Sequence, residues 1–260
     1  MKMVLIVVGV LAVGFLLMVV YLYVNQRKML YFPQGLDRDW QHIKENSKHE
    51  IEFQRDETRL RGWLLYPERP ELLIYYGGNG EEVSYNLAEF DQLKSHAILL
   101  VNYRGYGESE GRPTEADLVA DALAIFDEMN DKYGSIVVLG RSLGSGIAVQ
   151  VAANRQTKGV ILVTPYDSIV AVGQAMYRWA PVSLLLKDPF DSIAASSTVT
   201  EPALFLIAEQ DEVIPEIHSR KLADAWKSTF DWVTIKGSSH NSISSFPAYW
   251  VAIDSFLNSR

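Results

Sequence analysis

Ser142 stands between Gly140 and Gly144 in "VVLGRSLGSGIAVQVAA", a run from Val137 to Ala153 in which an apolar strand pattern passes directly into a helical one. A G-x-S-x-G pattern at such a junction suits a nucleophile on a tight turn, where larger residues two positions before or after the serine would collide with the neighbouring strand or helix. The same glycines also permit an ordinary turn with a serine helix cap, so the rest of the chain has to supply partners. A serine hydroxyl becomes nucleophilic only when a base takes its proton and a third group holds the base. Of five histidines, His42 and His49 lie in or beside a polar N-terminal segment, His96 opens a strand pattern and His218 opens a helical one. His240 lies in "GSSHNS", a glycine- and serine-rich loop after the last strand pattern. The orienting acid belongs between serine and histidine in the sequence, in the order that accompanies this elbow. Asp211, three residues beyond the strand pattern "ALFLIA", fits best, with Glu209, Glu212 and Asp167 as alternatives.

A serine attacking an acyl carbonyl also needs backbone N–H donors aimed at the developing oxyanion. Leu143, immediately after the serine, is one candidate. Asn79 in "YYGGNGEE" is the other, with Gly78 as the fallback. The glycines of that loop match neither G-x-x-x-x-G-K-[ST] nor a dinucleotide G-x-G-x-x-G opening a helix, which argues against a nucleotide phosphate as ligand. The chain has no cysteine, so thiolate catalysis, disulfides and Cys-ligated zinc are excluded, and the serine chemistry requires no metal or organic cofactor.

These residues need a scaffold that brings distant loops together. Apolar strand patterns occur at 71–76, 97–103, 136–140, 159–164, 203–208 and 232–236, and "IEFQRDETRLRGWLLYP" reads as a hairpin around Asp56-Glu57-Thr58. Helical patterns alternate with them at 84–95, 114–132, 142–155, 216–228 and 245–258. Continuous apolar strands alternating with amphipathic helices imply a mostly parallel sheet covered on both faces, with ligands at the carboxyl ends of its strands. All of the candidate site residues fall just after such ends.

Taken in order over residues 50–260, "YYGGNG", "NYRGYGESEG", "GRSLGSG", "AEQDEVIP" and "GSSHN" resemble the α/β-hydrolase superfamily. Within it the chain resembles membrane-anchored serine hydrolases, the ABHD-type depalmitoylases and lysophospholipases and the bacterial serine-aminopeptidase-like hydrolases. The resemblance implies an α/β-hydrolase fold with an eight-stranded sheet, and a catalytic triad at Ser142, Asp211 and His240. One departure concerns the oxyanion loop. The His-Gly common there is Gly77-Gly78 in this chain, which keeps a backbone donor and removes a side chain that usually braces the loop.

From Met3 to Val24 there is neither charge nor proline, and a helix of that length rises about 33 Å, enough for a hydrocarbon core of about 30 Å. The run is longer than a signal-peptide core and closes on Tyr21, Tyr23, Arg27 and Lys28, an aromatic and basic border. It reads as an uncleaved transmembrane anchor at 3–24, followed by a juxtamembrane connector at 25–48 and a hydrolase domain at 49–260. Arg27, Lys28, Arg38 and Lys44 outnumber Lys2, favouring a cytoplasmic catalytic domain. The net charge of −8 and the lack of a Lys/Arg-rich run argue against nucleic acid as a partner. The expected partners are the membrane and a small acyl or lipid-like substrate.

The chemistry expected is hydrolysis of acyl esters or thioesters through an acyl-enzyme. A peptidase or aminopeptidase with the same triad is the alternative, for which Glu81, Glu82, Glu108 and Glu110 are candidate amine-binding acids. A membrane-tethered scaffold without catalysis is the other. The apolar residues of the segment 172–190 suggest a lid over the acyl site.

Overall fold

Alternation with a period of two divides each central strand between two cores. Leu72, Ile74 and Tyr76 pack in one cluster with Ile125, Ile147 and Leu222, while Leu73 and Tyr75 pack in the other with Leu87, Phe90 and Ile253. The computed structural model of the protein describes residues 1–259. Its sheet contains β1 (Glu50–Arg55), β2 (Thr58–Leu65), β3 (Leu72–Tyr76), β4 (Ala97–Val101), β5 (Ile136–Arg141), β6 (Gly159–Val163), β7 (Ala203–Gln210) and β8 (Phe230–Ser239). The strand order is β1-β2-β4-β3-β5-β6-β7-β8. Strand β2 runs antiparallel to both of its neighbours, and the other pairs are parallel. This is the eight-stranded, mostly parallel sheet of an α/β-hydrolase fold.

The helices are α1 (Lys2–Leu30), α2 (Gln41–Asn46), α3 (Leu87–Phe90), α4 (Glu115–Tyr133), α5 (Leu143–Asn154), α6 (Ile169–Met176), α7 (Val182–Leu185), α8 (Ser192–Ser196), α9 (Glu216–Ala225) and α10 (Pro247–Asn258). Local chemistry sets several of their ends. Thr114 caps α4 by accepting the Asp117 N–H at 3.1 Å, and Gly134 closes it at φ 63°. Helix α9 stops short of the expected 228, because Trp226 turns into the core and its indole N–H donates to the Glu201 carbonyl at 3.1 Å. The helix expected over 84–95 is instead α3 between two 3₁₀ turns. Its buried residues Leu87, Phe90 and Leu93 recur every three positions, the period of a 3₁₀ helix. The first hairpin turns at Asp56-Glu57, with Thr58 already paired to Arg55.

Helix α1 has a mean hydropathy of 3.2 over its most apolar stretch and is long enough to cross a membrane. It continues past Val24 through "NQRKML", a run of mostly good helix formers with neither Gly nor Pro. The chain then packs down on the sheet layer, burying Tyr31 and Ile43.

The path from β3 turns to β4 on one side and later to β5 on the other. That reversal makes the carboxyl ends of β3 and β5 the switch point at which such sheets bind ligands.

Candidate active site

Strand β5 runs into α5 with almost no connecting residues, and the backbone turns within Ser142 itself at φ 51°, ψ −117°. A non-glycine residue held there stores about 1–3 kcal/mol of strain. The turn persists because its surroundings leave no alternative. A Cβ on Gly140 would overlap the Gly144 carbonyl, and one on Gly144 would overlap the Tyr76 carbonyl. The Ser142 N–H donates to the Val163 carbonyl at 2.9 Å, and the Ser142 carbonyl accepts the Ser145 N–H and hydroxyl at 2.9 and 2.6 Å.

The other two groups arrive from the neighbouring strands. His240 follows β8 and places Nε2 2.9 Å from Ser142 Oγ. Its Nδ1 lies 2.8 and 3.0 Å from the two oxygens of Asp211, which follows β7. Asp211 is fixed in turn by the N–H groups of Val213 and Ile214, which donate to Oδ1 at 2.9 and 2.7 Å. With the aspartate ionised, the Nδ1–H points at it and the Nε2 lone pair is left for the serine hydroxyl. Both side chains are almost fully buried. Among the alternatives, Glu209 accepts the Gly237 N–H, and Glu212 accepts the backbone N–H of His240 at 3.3 Å. Asp167 is paired elsewhere, with His218 at 2.8 Å.

Leu143 and Asn79 both border the cavity beside Ser142. Leu143 is the first residue of α5, whose leading N–H groups have no partner within the helix and lie at the positive end of its dipole. The Gly78 N–H, the fallback donor, is already committed to Glu81 Oε2 at 2.9 Å, and the Asn79 N–H stays the candidate on the β3 side.

The missing histidine of the Gly77-Gly78 loop is replaced by several other groups. Tyr103 donates its hydroxyl to the Gly77 carbonyl at 2.7 Å, and Tyr106 donates to the Asn79 carbonyl at 2.5 Å. The Phe32 N–H also donates to the Asn79 carbonyl, at 2.9 Å, and the Asn79 side chain donates to the Leu30 carbonyl at 3.0 Å. Glu81, a candidate amine-binding acid in the sequence, turns inward. It accepts from Gly78, Tyr75 and Asn86 and pairs with Arg141 at 2.8 Å. Burial works to lower the Arg141 pKa, and the Glu81 carboxylate raises it past its ordinary value. Arg141 also donates to the His240 carbonyl at 3.3 Å, so one ion pair joins the oxyanion loop to the histidine loop. An arginine directly before the serine and an acid four residues past Gly77 were the only signals of this link in the sequence.

Ser142 lies where two cavities meet. One, of about 300 Å³, is almost wholly apolar, and its walls include Leu22 and Met29 of α1, Val172 and Met176 of α6, Leu185 and Ile214. The other, of about 240 Å³, is more polar than the first and is bordered by Gly78, Glu81, Arg141, His240 and Asn241. Among the described residues no cluster of His, Asp and Glu is arranged to hold a metal ion.

A sequence profile of the alpha/beta hydrolase family matches residues 76–195. An uncharacterized protein of Mycobacterium tuberculosis is 29% identical over 234 residues, covering 86% of this chain and 83% of its own length. The alpha/beta hydrolase domain-containing protein WAV2 of Arabidopsis thaliana is 26% identical, over 82% of this chain and 78% of its own. Human alpha/beta hydrolase domain-containing protein 17B is 27% identical, over 72% of this chain and 62% of its own. Among solved structures, the Pyrococcus furiosus esterase Pf2001 superposes with a TM-score of 0.70 at 16% identity, over 88% of this chain and 98% of that one.

Proposed function

Because the chain belongs to the α/β-hydrolase superfamily and resembles its ABHD proteins, we propose that it is a membrane-anchored serine hydrolase of acyl esters or thioesters. The single observation that carries the reading is the unbroken line from Asp211 through His240 to Ser142, with hydrogen-bonding distances of 2.8 and 2.9 Å.

In this mechanism His240 Nε2 accepts the Ser142 proton as Oγ attacks the acyl carbonyl, and Asp211 stabilises the imidazolium and keeps its orientation. The N–H groups of Asn79 and Leu143 hold the oxyanion, each contribution of this kind being worth about 10²–10³ in rate. His240 then returns the proton to the leaving oxygen or sulfur. A water, deprotonated by the same imidazole, cleaves the acyl-enzyme and regenerates the serine. The two cavities divide the substrate. The apolar one suits an acyl chain, and the more polar one suits the leaving group and the incoming water.

The four acids that favoured an aminopeptidase have other partners. Glu81 is held by Arg141, and the buried Glu82 is hydrogen-bonded to Ser84 and Asn102. Glu108 pairs with Arg38 and Arg61, and Glu110 with Arg59. A substrate ammonium would have to displace a guanidinium or enter a sealed pocket, which speaks for an acyl substrate.

Helix α1 serves as the anchor, and the excess of Lys and Arg beyond its apolar run orients the hydrolase domain to the cytoplasm. A fluorophosphonate probe tests the whole reading. It should label Ser142 in the wild type and fail to label Ser142→Ala, whereas a folded wild type that stays unlabelled and cleaves no ester would overturn it.

A further inference from the structure

The apolar helix does more than lead into the domain. Its last turns dock against the segment that follows β6, through contacts matched residue to residue. The Arg27 guanidinium binds both oxygens of the buried Asp188, at 2.8 and 3.1 Å. Asp188 also accepts the Glu115 N–H at the start of α4, so this pair ties helix, lid segment and core together. The Gln26 amide bonds the lid backbone with both of its ends, donating to the Leu185 carbonyl at 3.1 Å and accepting the Lys187 N–H at 2.6 Å. The Lys187 ammonium lies 4.2 Å from the Tyr23 ring centroid, and the Phe15 and Trp179 rings meet edge to face at 5.9 Å.

Two consequences follow from these contacts. First, Leu22, Gln26, Met29 and Leu30 lie on one face of α1 and border the apolar cavity that ends at Ser142. With its amide satisfied by the lid backbone, Gln26 offers that cavity mainly methylenes. Leu22 still belongs to the uncharged run, and Leu30 gives its carbonyl to Asn79. The cavity wall therefore runs for about 12 Å from the end of the apolar span to the oxyanion loop. Second, Trp179 touches α1 at Phe15, nine residues or about 14 Å inside that end. Exposed Trp179 accordingly lies alongside the part of the helix that is built for hydrocarbon, and Met176 and Leu184 are exposed on the same segment.

Resting on the serine-hydrolase reading, we propose that the substrate is an ester or thioester whose acyl chain resides in the bilayer leaflet. The chain reaches Ser142 along the α1 face formed by Leu22, Gln26, Met29 and Leu30, with α6 and α7 dipping into the same leaflet as the opposite wall. The apolar helix is thus a specificity-determining wall of the acyl pocket as well as an anchor. The cavity volume lies at the lower end of ligand pockets, enough for a single chain.

The experiment uses the full chain in phospholipid nanodiscs and a hexadecyl fluorophosphonate bearing a photoreactive diazirine at the far end of its chain. After Ser142 has reacted, irradiation and peptide mass spectrometry should find cross-links in residues 22–30 and in α6 or α7. Labelling of Ser142 with cross-links confined to other segments would overturn the route and leave the hydrolase reading intact. A folded chain that no fluorophosphonate labels, whatever the alkyl length, would overturn both.

A kinetic arm compares hexadecyl and ethyl probes. Met29→Trp should cut the long-to-short ratio of labelling rates about tenfold or more. Val24→Trp, which does not border the cavity, should leave that ratio within about twofold of wild type. An unchanged ratio in folded Met29→Trp overturns the assignment. A last arm presents the same chain as a monoacyl phospholipid and as an S-palmitoyl peptide in vesicles. Hydrolysis of either supports the route and identifies the leaving group, and hydrolysis of neither overturns it.

Discussion

The protein contains two buried aspartate–histidine pairs that are hard to tell apart on local grounds. His240–Asp211 and His218–Asp167 have the same 2.8 Å separation, and in both the histidine side chain is 6% exposed and the aspartate 4%. Each aspartate follows a parallel strand of the sheet. They differ in what the far side of the ring meets. His240 Nε2 faces the Ser142 hydroxyl at 2.9 Å, and no serine hydroxyl bonds to the His218 ring among the described residues. His218 sits inside α9, beside Ser219, whose hydroxyl donates to the Pro165 carbonyl at 2.5 Å and pins the helix to the loop after β6. Of the two rings, only that of His240 has a serine hydroxyl within reach to deprotonate in the proposed mechanism. The second pair holds a helix in place.

Mutations can break this contrast in order of expected size. His240→Ala should lower ester hydrolysis by about 10⁶, the scale on which a serine nucleophile loses its base, with wild-type folding by circular dichroism. Asp211→Asn should cost about 10⁴ in kcat, because the amide favours the wrong imidazole tautomer. Its counterpart Asp167→Asn should leave kcat within a few-fold of wild type. It should instead lower stability to urea by about 1–3 kcal/mol, the cost of mispairing a buried polar group. If Asp167→Asn silenced the enzyme and Asp211→Asn only destabilised it, the roles assigned to the two pairs would be reversed.

Glu81→Gln comes next. The amide keeps an acceptor for Gly78 and loses the charge on Arg141, so kcat should fall about 10- to 100-fold with a smaller change in KM, read from initial rates on a short ester. A fall in KM alone would remove Glu81 from the positioning of the oxyanion loop.

A third histidine–acid pair sharpens the comparison at the lowest end of the scale. His96 lies 3.2 Å from Glu71, and burial holds its pKa below the usual histidine value despite that neighbour. A group with a depressed folded pKa favours folding above its unfolded pKa. This contribution should fade as the pH drops below about 6.5 and through the lower folded value. His96→Asn should flatten that part of the Tm–pH curve and leave activity unchanged.

Much of this arrangement can be read without a structure. The glycines around Ser142 are demanded by backbone overlap, which is a local property, and the positions of Asp211 and His240 follow from the rule that ligands gather at strand ends. The brace around Gly77-Gly78 cannot be read that way. Tyr103, Tyr106 and Arg141 reach this loop from elements 26 to 60 residues away in the chain. "GNGEE" has the composition of a solvated rim, and only the packing around Glu81 shows otherwise. The helical stretch beyond Val24 was hidden because polar Gln26 and Arg27 end the apolar run, although both are spent on partners about 160 residues away.

The backbone of Ser142 at φ 51° has a consequence for how such a chain can change over generations. A glycine there would relax the turn. Its greater freedom in the unfolded chain takes back about 0.5–1 kcal/mol, so the net gain in stability should be on the order of 1 kcal/mol. Selection acting on foldedness alone would therefore drift toward a sturdier, silent protein. The serine keeps that strain and supplies the hydroxyl on which the proposed chemistry depends.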